Sequence, residues 1–211
     1  ADPRLSQYVA ALGHDMKRLA GKSLLWIMLA APGLWMLWSL SQNDVLAMDL
    51  LHPSGETSIR LMILAMLPGP LSEFFGLNRF FRIWLAIRRN LGVAAFGYAL
   101  LHLLFYILDM NSIAAMVDEL GLPGIWTGWL AFALMIPPAA ISFNYAMRKL
   151  GRNWKMVQRL VYLVLIIGLG HWILLDWAWQ PALIHLAPLA LAWVLRSVGR
   201  SRRQRTQRSM A

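Results

Sequence analysis

The sequence predicts an all-α integral membrane protein: a six-transmembrane-helix bundle with both termini cytoplasmic and an N-terminal interfacial amphipathic helix. Three observations carry that prediction. Of the 211 residues, 59% are hydrophobic and only 14% are charged, whereas a soluble domain is roughly half apolar and about a quarter charged. The apolar residues fall in long runs rather than in alternation, which is the pattern of helices surrounded by hydrocarbon. The basic residues cluster in every second loop, and that bias sets an orientation. This composition excludes a disordered chain and an ordinary water-soluble domain.

The elements follow in order. Residues 1–22 place Leu5, Tyr8, Val9, Leu12, Met16 and Leu19 on one stripe, with Lys17, Arg18 and Lys22 beside it. Such a pattern suits a helix lying in the headgroup layer. Residues 23–198 contain six apolar segments, at 23–40, 57–72, 89–108, 124–143, 155–175 and 181–198. A helix needs about 20 residues to cross roughly 30 Å of hydrocarbon; the second and sixth segments are short, and flanks that reach the interface make up the difference. The run after Lys22 lacks a small-residue cleavage site and is followed by further spans, so it reads as a retained span. Residues 199–211 form a basic cytoplasmic tail.

Charge decides which side is which. The N-terminal segment carries Arg4, Lys17, Arg18 and Lys22, and the second loop carries Arg79, Arg82, Arg88 and Arg89. The fourth loop and the start of the fifth span carry Arg148, Lys149, Arg152, Lys155 and Arg159, and the C-terminal end carries Arg196, Arg200, Arg202, Arg203, Arg205 and Arg208. Of the 20 basic residues only Arg60 lies elsewhere. The alternate loops, 41–56, 109–123 and 176–180, hold Asp44, Asp49, Glu56, Asp109, Asp118, Glu119 and Asp176 and no Lys or Arg. The net charge of +10 therefore reports topology and membrane lipids with anionic headgroups, not nucleic acid. With no cysteine, the sequence also excludes disulfides, thiolate-bound metal and covalent c-type haem.

Ionisable residues inside spans are costly and mark function. His102 lies in the third span and His171 in the fifth. Counted from the basic end, they sit about 20 Å and about 24 Å along their helices at 1.5 Å per residue. Two imidazoles at matched depth on parallel helices are what axial ligation of one haem requires, and bis-histidine ligation leaves an electron carrier without an open iron position. The other reading is a pair of buried histidines hydrogen-bonded to neighbouring helices. Ala95, Gly97 and Ala99 on one helix and Gly168 and Gly170 on the other leave room for a flat macrocycle. Arg60 stands near the outer end of the second span, with a haem propionate, the outer headgroups or Glu56 as its possible partners. His14 and His52 read as surface residues, and His185 lies near the outer end of the sixth span within reach of a cofactor edge.

The stretches RRNLGVAAFGYALLHLLFY and MRKLGRNWKMVQRLVYLVLIIGLGHWIL resemble the third and fifth helices of ferric-reductase-like transmembrane haem b domains, and in particular the MsrQ (YedZ) family. PSGETSIRLMILAMLPGPL is similar to that family's second helix. STEAP metalloreductases and NADPH oxidases share the His-bearing third helix more distantly. The resemblance implies a multi-pass protein of the bacterial inner membrane with haem b ligated by His102 and His171. It implies electron transfer from a flavin (FMN) or quinone donor to an MsrP-like periplasmic molybdopterin reductase of methionine sulfoxide. One departure stands out: where the family has a further His in W-x-x-L-H, this sequence reads WKMVQ, with Gln158 in that position. A single haem per chain follows. No G-x-G-x-x-G follows a strand pattern, so the chain is expected to borrow its reductant as an electron-transfer subunit rather than act as a stand-alone enzyme. A ferric or cupric reductase domain and a non-redox assembly subunit are the competing functions.

Overall fold

The computed structural model describes the backbone of residues 3–176 and 179–209 and the side chains of residues 20–176 and 179–201. The stripe Leu5 to Leu19, His14 and the side chains of Arg202, Arg203, Arg205 and Arg208 lie outside the described side chains. Every regular element described is helical: α1 (Pro3–Ser41), α2 (Ala47–Met66), α3 (Pro68–Phe75), α4 (Arg79–Met110), α5 (Ile113–Glu119), α6 (Pro123–Ala140), α7 (Asn144–Leu150), α8 (Arg152–Gln158), α9 (Leu160–Asp176) and α10 (Trp179–Ser209). Among the described residues five helical stretches are long and apolar enough to cross a membrane, and α5 with α6 makes a sixth if that pair, bent by 105°, is one span.

The chain divides into two units, residues 1–45 and 46–211. The first consists of α1, which runs unbroken from the segment expected at the interface into the first apolar run, with no boundary at residue 22.

In the second unit several helices begin earlier than hydropathy alone indicates. Most of the loop expected at 41–56 is the first half of α2. Its polar residues are satisfied within the helix: Asp49 accepts from the Leu46 backbone N–H at 3.0 Å, Ser54 donates to Leu50 O at 2.6 Å, and Thr57 donates to Pro53 O at 2.7 Å. The stretch expected to carry Arg79, Arg82 and Arg88 as a loop is the start of α4, capped by Asn78, whose side chain accepts from Phe81 N at 3.0 Å. The fifth span is interrupted at Arg159, between α8 and α9.

Two helix pairs build the second unit. Leu51 meets His102 while Ser58 donates to Ala95 O at 2.8 Å, so α2 and α4 run antiparallel and pack along their length. Gly124 meets Leu175 and His171, while Gln158 meets Pro138, so α6 and α9 form a second antiparallel pair. Between these pairs α4 and α9 share almost no backbone contact. The core lies where α2, α9 and α10 converge, on Ile59, Met62, Ile63, Val164, Leu165, Leu189 and Ala192. At the basic end Glu73 of α3 clamps α10 by accepting from Arg196 Nε and Nη2 at 2.7 Å each and from Arg200 Nε at 3.0 Å.

Candidate functional site

His102 projects from α4 and His171 from α9 into the interval between the two helix pairs, with ring centroids 6.1 Å apart and ring planes at 90°. Each ring is fixed by the partner helix of its own pair. His102 Nδ1 donates to Leu51 O at 2.9 Å, and Ser54 Oγ stands 3.3 Å from the same nitrogen. His171 Nδ1 donates to Gly124 O at 2.5 Å. A carbonyl can only accept, so in both rings the proton sits on Nδ1 and the lone pair on Nε2. Neither Nε2 has a hydrogen-bond partner among the described residues, and no buried side-chain nitrogen or oxygen there is left unpaired. Both Nε2 atoms therefore open onto accessible space.

Both rings lie against glycine. A Cβ on Gly55 of α2 would come within 3.1 Å of His102 Cε1 and Nδ1, and one on Gly128 of α6 within 2.6 Å of His171 Cε1. Any side chain at Gly128 would drive the imidazole off its present position.

This arrangement can hold a metal between two imidazoles. Two metal–nitrogen bonds of about 2.0 Å, with each centroid roughly 1.1 Å behind its nitrogen, put ring centroids about 6 Å apart. Among the described residues no group of three or more His, Asp or Glu could enclose an ion. A pair of histidines alone would leave most of a coordination sphere to be supplied by another group, such as a macrocycle.

Four of the five small residues expected to make room, Ala99 being the fifth, divide into two sets. Ala95 and Gly168 serve helix packing: Ala95 O accepts from Ser58, and a Cβ on Gly168 would come within 3.2 Å of Ile59 Cδ1. Gly97 and Gly170 have nothing within 4 Å of a Cβ built on them, so these are the two that leave space.

Within the polypeptide Arg60 pairs with the Glu56 carboxylate, the protein partner expected for it. Arg60 Nη2 donates to Glu56 Oε1 at 2.5 Å and Arg60 Nε to His185 Nε2 at 3.0 Å, while His185 Nδ1 donates to Pro181 O at 2.7 Å. His185 packs on Trp172 at 5.2 Å between centroids, and Trp172 donates to Asp176 at 2.5 Å with His52 edge-on at 5.5 Å. His52 and His185 thus belong to a polar cluster over the acidic end of the site.

A family model described as ferric reductase like transmembrane component matches residues 54–169. The heme-binding subunit MsrQ of protein-methionine-sulfoxide reductase from Agrobacterium fabrum is 35% identical over 158 residues, spanning 71% of this chain and 70% of that protein. Its counterpart from Brucella ovis is 30% identical over 199 residues, spanning 88% of this chain and 87% of that protein. The chain belongs to the MsrQ family. The family match opens at Ser54, includes His102, Gly124 and Gly128, and ends at Leu169, two residues short of His171.

The departure at Gln158 has a structural account. Pro137 and Pro138 near the end of α6 disturb its last turn, and Pro138 O accepts from Gln158 Nε2 at 2.9 Å and from Ser142 Oγ at 2.6 Å. Trp154 donates to Ile141 O at 3.2 Å beside it. Arg89, at a similar level on α4, donates to Asn144 Oδ1 at 2.7 Å. Both side chains at the inner level are thus engaged by the polypeptide. Sequence reasoning missed Leu51, Ser54, Gly55, Gly124, Thr127 and Gly128 as parts of the site; the pairing of hydroxyl with glycine in Ser54-Gly55 and Thr127-Gly128 was the available signal.

Proposed function

We propose that this chain is the haem-binding membrane subunit of a protein-methionine-sulfoxide reductase system, with one haem b held between His102 and His171. The observation that carries the reading is the pair of imidazoles 6.1 Å apart, each anchored at Nδ1 with its Nε2 free. Family membership supports it, because the relatives are named as haem-binding subunits of that reductase. The absence of cysteine leaves no thiol for covalent attachment, which favours a b-type haem.

A bound haem supplies reversible one-electron chemistry at its iron. The protein's own part is positional. His102 and His171 would hold the iron from both sides, which would leave no open position for oxygen. Leu51 O and Gly124 O hold the rings so that little reorganisation accompanies a change of charge. The basic end is cytoplasmic and the acidic end periplasmic in this reading, in a bacterial inner membrane. Electrons enter from a cytoplasmic flavin such as FMN or from a membrane quinol and leave to a periplasmic molybdopterin reductase of the MsrP type. With Gln158 and Arg89 committed to structure, the path from the basic end to His102 covers about 20 Å of helix.

The test is a reduced-minus-oxidised absorption spectrum of the purified chain. A b-type alpha band, abolished by His102→Ala and by His171→Ala, is expected. A colourless protein, or one whose band survives His171→Ala unchanged, overturns the assignment.

A further inference from the structure

The two histidines are held by the same three-part device, built once on each helix pair. On α2, Leu51 O receives the imidazole of His102 at 2.9 Å, the Ser54 hydroxyl three residues on reaches that same carbonyl at 2.9 Å, and Gly55 four residues on faces the ring. On α6, Gly124 O receives His171 at 2.5 Å, the Thr127 hydroxyl three residues on reaches it at 2.9 Å, and Gly128 four residues on faces the ring. Positions i, i+3 and i+4 share one helix face. The glycine lets the ring lie against the backbone, and there its Nδ1 meets a carbonyl that also takes a share of the hydroxyl's proton.

We propose that these two carbonyl–hydroxyl–glycine cradles are positioning elements that set the orientation and the donor strength of the two axial imidazoles, with the Thr127 hydroxyl weakening the hold of Gly124 O on His171. This rests on the haem reading above and adds what tunes that site. A carbonyl accepting from Nδ1–H pushes electron density toward Nε2 and makes the ring a more basic ligand. A more basic ligand favours ferric iron and lowers the midpoint potential. A hydroxyl donating to the same carbonyl draws on the same oxygen density and moderates that push.

The two cradles are not equal. The bond from His171 is the shorter, 2.5 Å against 2.9 Å. Thr127 has one hydroxyl proton, shared between Pro123 O at 2.7 Å and Gly124 O at 2.9 Å, and among the described residues its oxygen has no bond to the ring nitrogen that would oppose its effect on Gly124 O. Ser54 acts in two directions: its single proton goes chiefly to Leu50 O at 2.6 Å and only partly to Leu51 O at 2.9 Å, while its own oxygen lies 3.3 Å from His102 Nδ1 and offers that proton a second acceptor.

The experiment is a potentiometric titration of the haem-loaded full chain, followed by its alpha band, for wild type, Thr127→Val, Thr127→Ser and Ser54→Ala. Thr127→Val keeps the residue's shape and removes the hydroxyl; it should retain one haem and shift the midpoint to a more negative potential. Thr127→Ser restores the hydroxyl and should titrate as wild type. Ser54→Ala should shift it less, because its two effects oppose. Loss of haem in Thr127→Val with retention in Thr127→Ser also supports the cradle. Equal haem content and equal potential in Thr127→Val and wild type overturn the proposal and leave the haem reading standing. A wild-type chain without a bis-histidine haem overturns both.

Discussion

Replacing Gly128 by Ala adds one methyl group at the tightest point of the site. The new Cβ would stand 2.6 Å from His171 Cε1, 2.8 Å from Nδ1 and 3.2 Å from Nε2. Carbon–carbon contacts become favourable only at about 3.5 Å, so the ring must retreat by about 0.9 Å. From 2.5 Å, that retreat stretches the His171–Gly124 bond past the usual limit of about 3.2 Å. A metal–nitrogen bond of about 2.0 Å tolerates no such displacement. Overpacking of this kind costs about 1–3 kcal/mol, which corresponds to haem affinity weakened by about 5- to 150-fold. The helix itself does not suffer, because Ala is favoured over Gly there by about 1 kcal/mol. Haem quantified as pyridine haemochrome against protein mass, with far-UV circular dichroism alongside, separates the two effects. Helicity should persist while haem content falls. Gly55→Ala, whose Cβ would approach His102 to 3.1 Å, should lose less haem, and Gly92→Ala, with nothing within 4 Å, should behave as wild type. Full haem content and an unchanged spectrum in Gly128→Ala would refute the steric argument.

Gln158→Ala removes the donor to Pro138 O and should lower stability by about 1 kcal/mol, read as a lower melting temperature, while haem stays at one per chain; two haems in wild type would refute the reading of Gln158 as a structural residue. Arg60→Ala releases Glu56 and His185 at an exposed ion pair, so haem content should be unchanged, and loss of haem would show that Arg60 holds the cofactor rather than lying beside it. A phosphatase active only outside the cytoplasm should be silent when fused after Ala211 and active when inserted in the 41–46 turn; the reverse pattern inverts the direction of electron flow.

The apolar segments, the sidedness of charge and the pairing of His102 with His171 in depth were legible from the sequence. Each is a local sum or a count along one helix, and a bilayer converts such counts directly into position. Element boundaries were less legible, because polar residues that read as loop, such as Ser54 and Thr57, are satisfied by bonding back to their own helix. Arg60 and Gln158 were singled out by their type, but His185 beside Arg60 and Pro138 O beside Gln158 come from helices that meet only in the folded chain. The hydroxyl–glycine pairs of the two cradles stand in the sequence, but which ring each one meets belongs to tertiary structure. Leu51 is 51 residues from His102 and Gly124 is 47 from His171, and nothing in either segment says which helix will lie against which ring. The sequence by itself determined that two imidazoles share one depth in a membrane. Only the packing of α2 on α4 and of α6 on α9 decided which nitrogen of each ring stays free, because that packing brings a carbonyl and a bare glycine backbone within reach of Nδ1.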